Sequence, residues 1–227
     1  SFDTATGAIS GTPTTPLTRT QYTITAANSG GSATVDINIT VNDIAPAISY
    51  SLNDITATLG VAITPHSSPS NSGGAATSWE ISPNPGSAFH FNQANGVISG
   101  TPGVLLSRTE YTIYANNSGG SSVAYVNVTV NDVPPNTIIY SPHTMTLEKD
   151  TLMSPITPTT AGGGVTTWEI EPDLPSGLSL DSATGTLSGT PTVLQVNSVA
   201  YTVWANNSGG AASTTLNIAI NDQIAVI

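Results

Sequence analysis

The chain contains the stretch Tyr201-Thr202-Val203-Trp204-Ala205-Asn206-Asn207-Ser208-Gly209-Gly210, and shortly after it Leu216-Asn217-Ile218-Ala219-Ile220-Asn221-Asp222. In the second part Leu216, Ile218 and Ile220 alternate with Asn217 and Ala219. A period of two puts the apolar side chains on one face of a strand and leaves the other face to water. The first part has the same period. The two are joined through Asn-Ser-Gly-Gly, residue types that tolerate positive φ and so make tight hairpins.

Working outward, the same landmarks return along the chain. Ser188-Gly189-Thr190-Pro191 has copies at Ser99 to Pro102 and Ser10 to Pro13, 89 residues apart each time. Tyr201-Thr202-Val203 corresponds to Tyr111-Thr112-Ile113 and Tyr22-Thr23-Ile24. Asn207 to Gly210 corresponds to Asn117 to Gly120 and Asn28 to Gly31, and each copy closes on Asn-Asp at 42–43, 131–132 and 221–222. Trp168-Glu169-Ile170 matches Trp79-Glu80-Ile81. Self-similarity at a fixed period marks a repeat architecture. The first copy lacks the half that would hold the Trp-Glu-Ile strand. Half a sandwich buries too little to stand alone and leaves strand edges open, so the missing strands are expected from preceding residues or from another chain.

A second hairpin precedes the first in each unit. Leu180 and Leu187 flank a turn in which Asp181 can bond the backbone ahead of it and Gly185 can take the left-handed position. Phe2 to Ile9 and Phe91 to Ile98 have the same layout. Helix signals are absent, and 16 prolines and 21 glycines would interrupt any helix. About seven short strands per unit, with turns at intervals of roughly ten residues, predict a two-sheet β-sandwich.

The string Leu174-Pro175-Ser176-Gly177-Leu178-Ser179-Leu180-Asp181, with Thr184-Gly185, Ser188 to Pro191 and Tyr201 to Gly210, resembles the bacterial Ig-like repeat. It is also similar to the dystroglycan-type cadherin-like domain. The resemblance implies an all-β chain of tandem immunoglobulin-like (cadherin-like) sandwiches, a class found in arrays on large secreted or surface-anchored proteins. The expected divisions are the C-terminal half of a domain at 1–43, complete domains at 44–132 and 133–222, and the start of a further linker at 223–227. The middle copy departs from the pattern at Pro83 to Ala88.

Composition narrows the function. Charged residues make up 7% of the chain and the net charge is −11, against about 25% charged in an ordinary domain. Lys149, Arg19 and Arg108 are the only basic side chains besides histidine, too few to neutralise a phosphate backbone. No apolar run reaches the roughly 20 residues of a membrane-spanning helix. There is no cysteine, which removes disulfides and thiolate chemistry.

Candidate sites are few. His66, His90 and His143 occupy non-equivalent positions and have no recognisable partners, so they read as loop residues. Glu80 and Glu169 recur once per unit on the side opposite the tryptophans, which does not bring two acids together as glycoside hydrolysis needs. The expectation is that the chain is not an enzyme and needs no cofactor. The cadherin-like resemblance implies calcium at domain junctions, with Asp43, Asp132 and Asp222 as candidates. Ca²⁺ takes six to eight oxygens, and the loops that would add acids read Asn71-Ser72-Gly73-Gly74 and Ala161-Gly162-Gly163-Gly164. The competing reading, turn capping before Pro46 or Pro134, is preferred. Asn38, Asn116, Asn127 and Asn206 each open an N-x-Ser/Thr acceptor for glycosylation. A single lysine, Lys149, limits isopeptide cross-linking to one unit. The tryptophans and Tyr22, Tyr111 and Tyr201 read as core; Tyr114 and Trp204 read as core or inter-strand packing, with exposure as the alternative.

These readings predict a structural section of an extracellular or cell-surface fibre, stalk or adhesin shaft, packed against copies of itself end to end or laterally, with strand donation to the first unit or surface glycans as further partners. The competing classes are a carbohydrate- or protein-binding Ig-like module and accessory domains of a large secreted enzyme.

Overall fold

The computed structural model describes residues 1–223, so the end of the expected linker, 224–227, lies outside the described residues. All regular structure in them is β. The first repeat contributes one hairpin, β1 (Leu17–Asn28) and β2 (Gly31–Val41). The second contributes β3 (Ile48–Tyr50), β4 (Asp54–Thr58), β5 (Pro69–Asn71), β6 (Ser78–Ser82), β7 (His90–Phe91), β8 (Ile98–Ser99), β9 (Leu106–Asn117) and β10 (Gly120–Asn131). The third repeats this order with β11 (Pro135–Ile139), β12 (Thr144–Glu148), β13 (Thr159–Gly162), β14 (Thr167–Glu171), β15 (Leu178–Leu180), β16 (Leu187–Gly189), β17 (Gln195–Asn207) and β18 (Gly210–Asn221). A complete unit therefore has eight strands where about seven were expected, because the short pairs β7–β8 and β15–β16 each count as two. By spatial compactness the chain divides into two units. One holds Ser1–Ile55, Ile63–Thr101 and Arg108–Val128; the other holds Thr56–Ala62, Pro102–Ser107 and the described residues from Thr129 to Gln223.

The third repeat shows how the pattern becomes a sandwich. One sheet has the order β12-β18-β17-β14, in which β12 runs parallel to β18 and the other pairs are antiparallel. The opposite layer is built from the pairs β11–β13 and β15–β16, tied by the bridge Ile156 to Leu187. Tyr201, Val203, Leu216, Ile218 and Ile220, the inward set of the sequence alternation, are almost wholly buried. They are covered by Ile138, Tyr140, Met145 and Trp168 from the front half of the repeat. Fully burying such a side chain is worth roughly 1.5–3 kcal/mol, so each half stabilises the other. The second repeat has the same sheet order, β4-β10-β9-β6.

The turn between β15 and β16 is fixed from both sides. The Asp181 carboxylate accepts the amides of Ala183 and Thr184 at 2.8 and 3.1 Å. Gly185 sits at φ 70°, and a Cβ there would come within 2.6 Å of the Trp168 ring. The Tyr140 hydroxyl donates to the Gly185 carbonyl at 2.5 Å, and its ring meets Trp168 edge-on with centroids 6.5 Å apart. Burial pushes the Tyr140 phenol well above its ordinary range. Asn92, Gly96, Trp79 and Tyr50 repeat this arrangement in the second unit. Phe89 is buried there as Leu178 is in the third, so the departure at Pro83 to Ala88 leaves the core position filled.

The first repeat contradicts one core assignment. Tyr22, expected to be buried like Tyr111 and Tyr201, is 43% exposed, against 2% for each of the other two. The described residues supply no front half to cover it.

Two outcomes follow. Gly185→Ala combines a left-handed backbone with a ring clash and is expected to cost about 1–3 kcal/mol, read from urea unfolding of the third repeat. The Asp181 carboxyl is held below its ordinary pKa, first by the amide of Ala183 and then by that of Thr184. A lowered folded-state pKa gives stability that is present above about pH 4 and is lost as pH falls through the folded value. Asp181→Asn, the residue type the second repeat uses at this point, is expected to keep the turn and remove that acid limb in unfolding measured from pH 7 to pH 2.

Candidate functional site at the linker clamp

The residues with the most elaborate polar geometry are those of the Asn-Ser-Gly-Gly hairpin turns, which hold the linker that leads into their own repeat. In the third repeat the Asn207 Nδ2 donates to the carbonyls of Val133 at 2.6 Å and Gly164 at 2.9 Å. Its Oδ1 accepts the amide of Gly209 at 2.8 Å, which fixes the turn itself. The Ser208 hydroxyl accepts the Asp132 amide at 2.9 Å. One asparagine thus closes its own turn with its oxygen and ties down two other segments with its nitrogen, using the full donor and acceptor capacity of the amide group.

The second repeat has the same clamp. Asn117 Nδ2 donates to Ile44 at 2.7 Å and Ala75 at 3.0 Å, and Ser118 Oγ accepts the Asp43 amide at 2.9 Å. Ser118 also donates to the Asp43 carboxylate at 3.0 Å, while the Asp132 carboxylate accepts the amide of Val133 at 2.9 Å.

Glycine is required because backbone lies against backbone. A Cβ on Gly119 would run into the Asp43 carbonyl, and one on Gly209 into that of Asp132. From the other side, Gly74 and Gly163 press on the carbonyls of Ile44 and Val133 in the same way. The linker therefore runs through a slot walled by glycines from two loops. Sequence reading treated Asn-Ser-Gly-Gly as hairpin chemistry alone. The signal for the slot was present in the pairing of that turn with a second Gly-Gly at 73–74 and 162–163 and with Asn-Asp in each linker.

The other sequence candidates are not gathered into a site. His66, His90 and His143 are exposed. Glu80 and Glu169 are exposed on the outer face, opposite Tyr114 and Trp204 in the strand register. Those two rings do not enter the core: 111, 113 and 115 point inward, which turns Tyr114 outward, and Trp204 is half-buried between its strand neighbours. Among the described residues no three His, Cys, Asp or Glu side chains come together as a metal site. Asp43 and Asp132 each spend carboxylate oxygens on local donors, and Asp222 ends the third repeat. A lone carboxylate with a serine beside it does not fit the oxygen count that Ca²⁺ requires. Of the glycosylation candidates, Asn38 is exposed, whereas Asn116, Asn127 and Asn206 are half-buried on the outer face. Asn116 Nδ2 faces Ser78 Oγ and Glu80 Oε1 at 3.5 and 3.4 Å.

A family model described as "Putative Ig domain", He_PIG, matches residues 1–42 and 135–221. The chain belongs to the He_PIG family. The two matched segments coincide with the first half-repeat and the third repeat; the second, which carries the altered Pro83 to Ala88 loop, is not matched. No curated protein matches the chain. Among solved structures it is similar to the I-band fragment I67-I69 of titin, at 14% identity, with 89% of this chain and 75% of that chain covered and a TM-score of 0.48. It is also similar to domains 3–5 of the extracellular part of Drosophila OTK, at 15% identity, 89% and 71% coverage and a TM-score of 0.46. Mouse cadherin-23 EC22-24 gives 15% identity, 91% and 76% coverage and a TM-score of 0.33.

In this He_PIG chain, Asn207→Ala removes two donated bonds and the turn-closing acceptor. At roughly 0.5–1.5 kcal/mol per bond, a loss of about 1.5–4.5 kcal/mol is expected, with faster amide exchange at Asp132 and Val133 read by mass spectrometry. Thermal unfolding in calcium and in excess chelator is expected to coincide.

Proposed function

We propose that the chain is a section of a repetitive extracellular or cell-surface stalk, fibre or adhesin shaft, with a mechanical and not a chemical task. The observation that carries this reading is the linker clamp, built twice from the same residues. A linker fastened by side-chain bonds and backbone contact cannot peel from its repeat until those bonds break together. The family supports modules used in tandem. The surface supports a role in lateral packing, since Thr, Ser and Asn cost less to desolvate than Lys and Glu when a face is covered. Exposed Asn38 is the acceptor best placed for a glycan. No step of the proposal needs a cofactor, a metal or a reactive pocket.

A second reading, a carbohydrate- or protein-binding module, draws on Tyr114 and Tyr125, which are exposed on the outer face of the second repeat. Pulling single molecules by their ends separates the two. A shaft is expected to give discrete unfolding events, each releasing roughly 30 nm for a repeat of this size at about 3.3–3.6 Å per residue, at forces that fall when Asn117→Ala and Asn207→Ala are combined. Extension without resolvable events, together with saturable glycan binding lost in Tyr125→Ala, would reverse the choice.

A further inference from the structure

Asn95-Gly96 is the one Asn-Gly pair in the chain, and it sits where a turn of the second repeat meets the core. The first and third repeats have Thr6-Gly7 and Thr184-Gly185 at this point. Asparagine before glycine carries a reaction of its own, because no side chain on the glycine shields its amide nitrogen from the neighbouring side-chain carbonyl. The Gly96 nitrogen attacks Asn95 Cγ, gives up its proton to solvent base, and expels the side-chain nitrogen as ammonia. The five-membered imide then takes up one water. Cleavage of one of its C–N bonds gives aspartate, and cleavage of the other gives isoaspartate, whose main chain runs through Cβ and Cγ and is longer by one methylene. Water is the only co-reactant.

The closed repeat withholds both reacting groups. Asn95 is exposed, but Gly96 is buried. The Gly96 amide donates to the Asn92 carbonyl at 2.8 Å, so the attacking nitrogen is committed to a bond that ring closure must break. Asn95 Oδ1 accepts the Val97 amide at 3.1 Å, which fixes the side chain. Gly96 lies against the Trp79 ring so closely that a Cβ would come within 2.5 Å of it, and its carbonyl accepts the Tyr50 hydroxyl. Closing the imide would lift Gly96 off the indole and away from that hydroxyl. The isoaspartate product is no better placed. The turn is closed by the Asn92 amide on the Val97 carbonyl at 2.9 Å, and an extra methylene inside that span displaces Gly96 from its seat.

We propose that Asn95 is a modification site gated by the folding of the second repeat. It is inert while the repeat is closed, is converted through the imide when the repeat opens, and as isoaspartate keeps the repeat from closing again. The second repeat thereby holds a chemical record of having been opened. The Thr-Gly turns cannot do this, since threonine has no side-chain carbonyl. The inference stands whatever task the array performs.

The test incubates the whole chain at mildly alkaline pH in buffer and in guanidinium chloride. The peptide containing residue 95 is followed by chromatography and mass spectrometry, which separate its Asn, Asp and isoaspartate forms. Where opening is fast compared with the chemistry, the rate is that of the open chain multiplied by the open fraction, so conversion at least about tenfold slower in buffer is expected. Tyr50→Phe, which removes the bond to the Gly96 carbonyl, is expected to speed conversion in buffer and leave it unchanged in denaturant. On return to buffer, the fraction of chains regaining slow amide exchange at Ile113 and Val128 is expected to fall in step with isoaspartate, with Val203 and Ile218 as internal control. Asn95→Thr is expected to abolish both the conversion and that loss. Equal rates in buffer and denaturant, a rate in buffer unmoved by Tyr50→Phe, or full recovery of protection in isoaspartate chains would overturn the proposal.

Discussion

The fold of both complete repeats depends on one apolar interface, where the inward face of a long hairpin is covered by the Trp and Tyr side chains of the residues that precede it. In the third repeat Val203, Leu216, Ile218 and Ile220 are sealed by Tyr140, Met145 and Trp168. The aromatic pair is positioned in turn by the glycine turn at 185, whose carbonyl accepts the Tyr140 hydroxyl and whose missing side chain makes room for the indole. With so few charges and no cysteine, no salt-bridge network or disulfide stands behind this burial. Arg108 with Asp54 and Lys149 with Asp150 are the ion pairs among the described residues; Arg108, Asp54 and Asp150 are more than half exposed and Lys149 one-third exposed, and pairs so open to solvent contribute little.

The clamp is a consequence of the same economy. A linker that leaves one strand and enters the next repeat must have its backbone groups bonded somewhere, and a chain poor in long polar side chains uses the amide of one asparagine and the hydroxyl of one serine. The carbonyls approached are backbone, so the wall on each side must be glycine. This explains why Asn-Ser-Gly-Gly and the Gly-Gly at 73–74 and 162–163 occur together.

Much of this was legible in the residues. Period-two alternation in β18 and β10 names the buried positions directly, and the Asp181 to Gly185 turn has the bonds its sequence predicts. The clamp was not read, because it joins residues some 75 positions apart and the hairpin turn taken by itself gives no sign of what its outer side touches; only its recurrence with a second Gly-Gly and the Asn-Asp linker carried the signal. Of the rings read as core or inter-strand packing, Trp204 is half-buried between its strand neighbours, whereas strand parity turns Tyr114 outward to the alternative, exposure. The exposure of Tyr22 reflects context, since its sequence is that of a buried residue and only the cover differs. The eighth strand lies at the margin of a two- or three-residue pair.

Native-state hydrogen exchange on the monomeric chain, followed residue by residue, compares three hairpins of nearly the same sequence in one molecule. If cover by the front half is what holds them, amides at Val203, Ile218 and their counterparts Ile113 and Val128 exchange only on global opening of their repeats, while those at Ile24 and Ile39 exchange orders of magnitude faster. Equal protection in all three hairpins would show that the hairpin is stable by itself and would contradict the account.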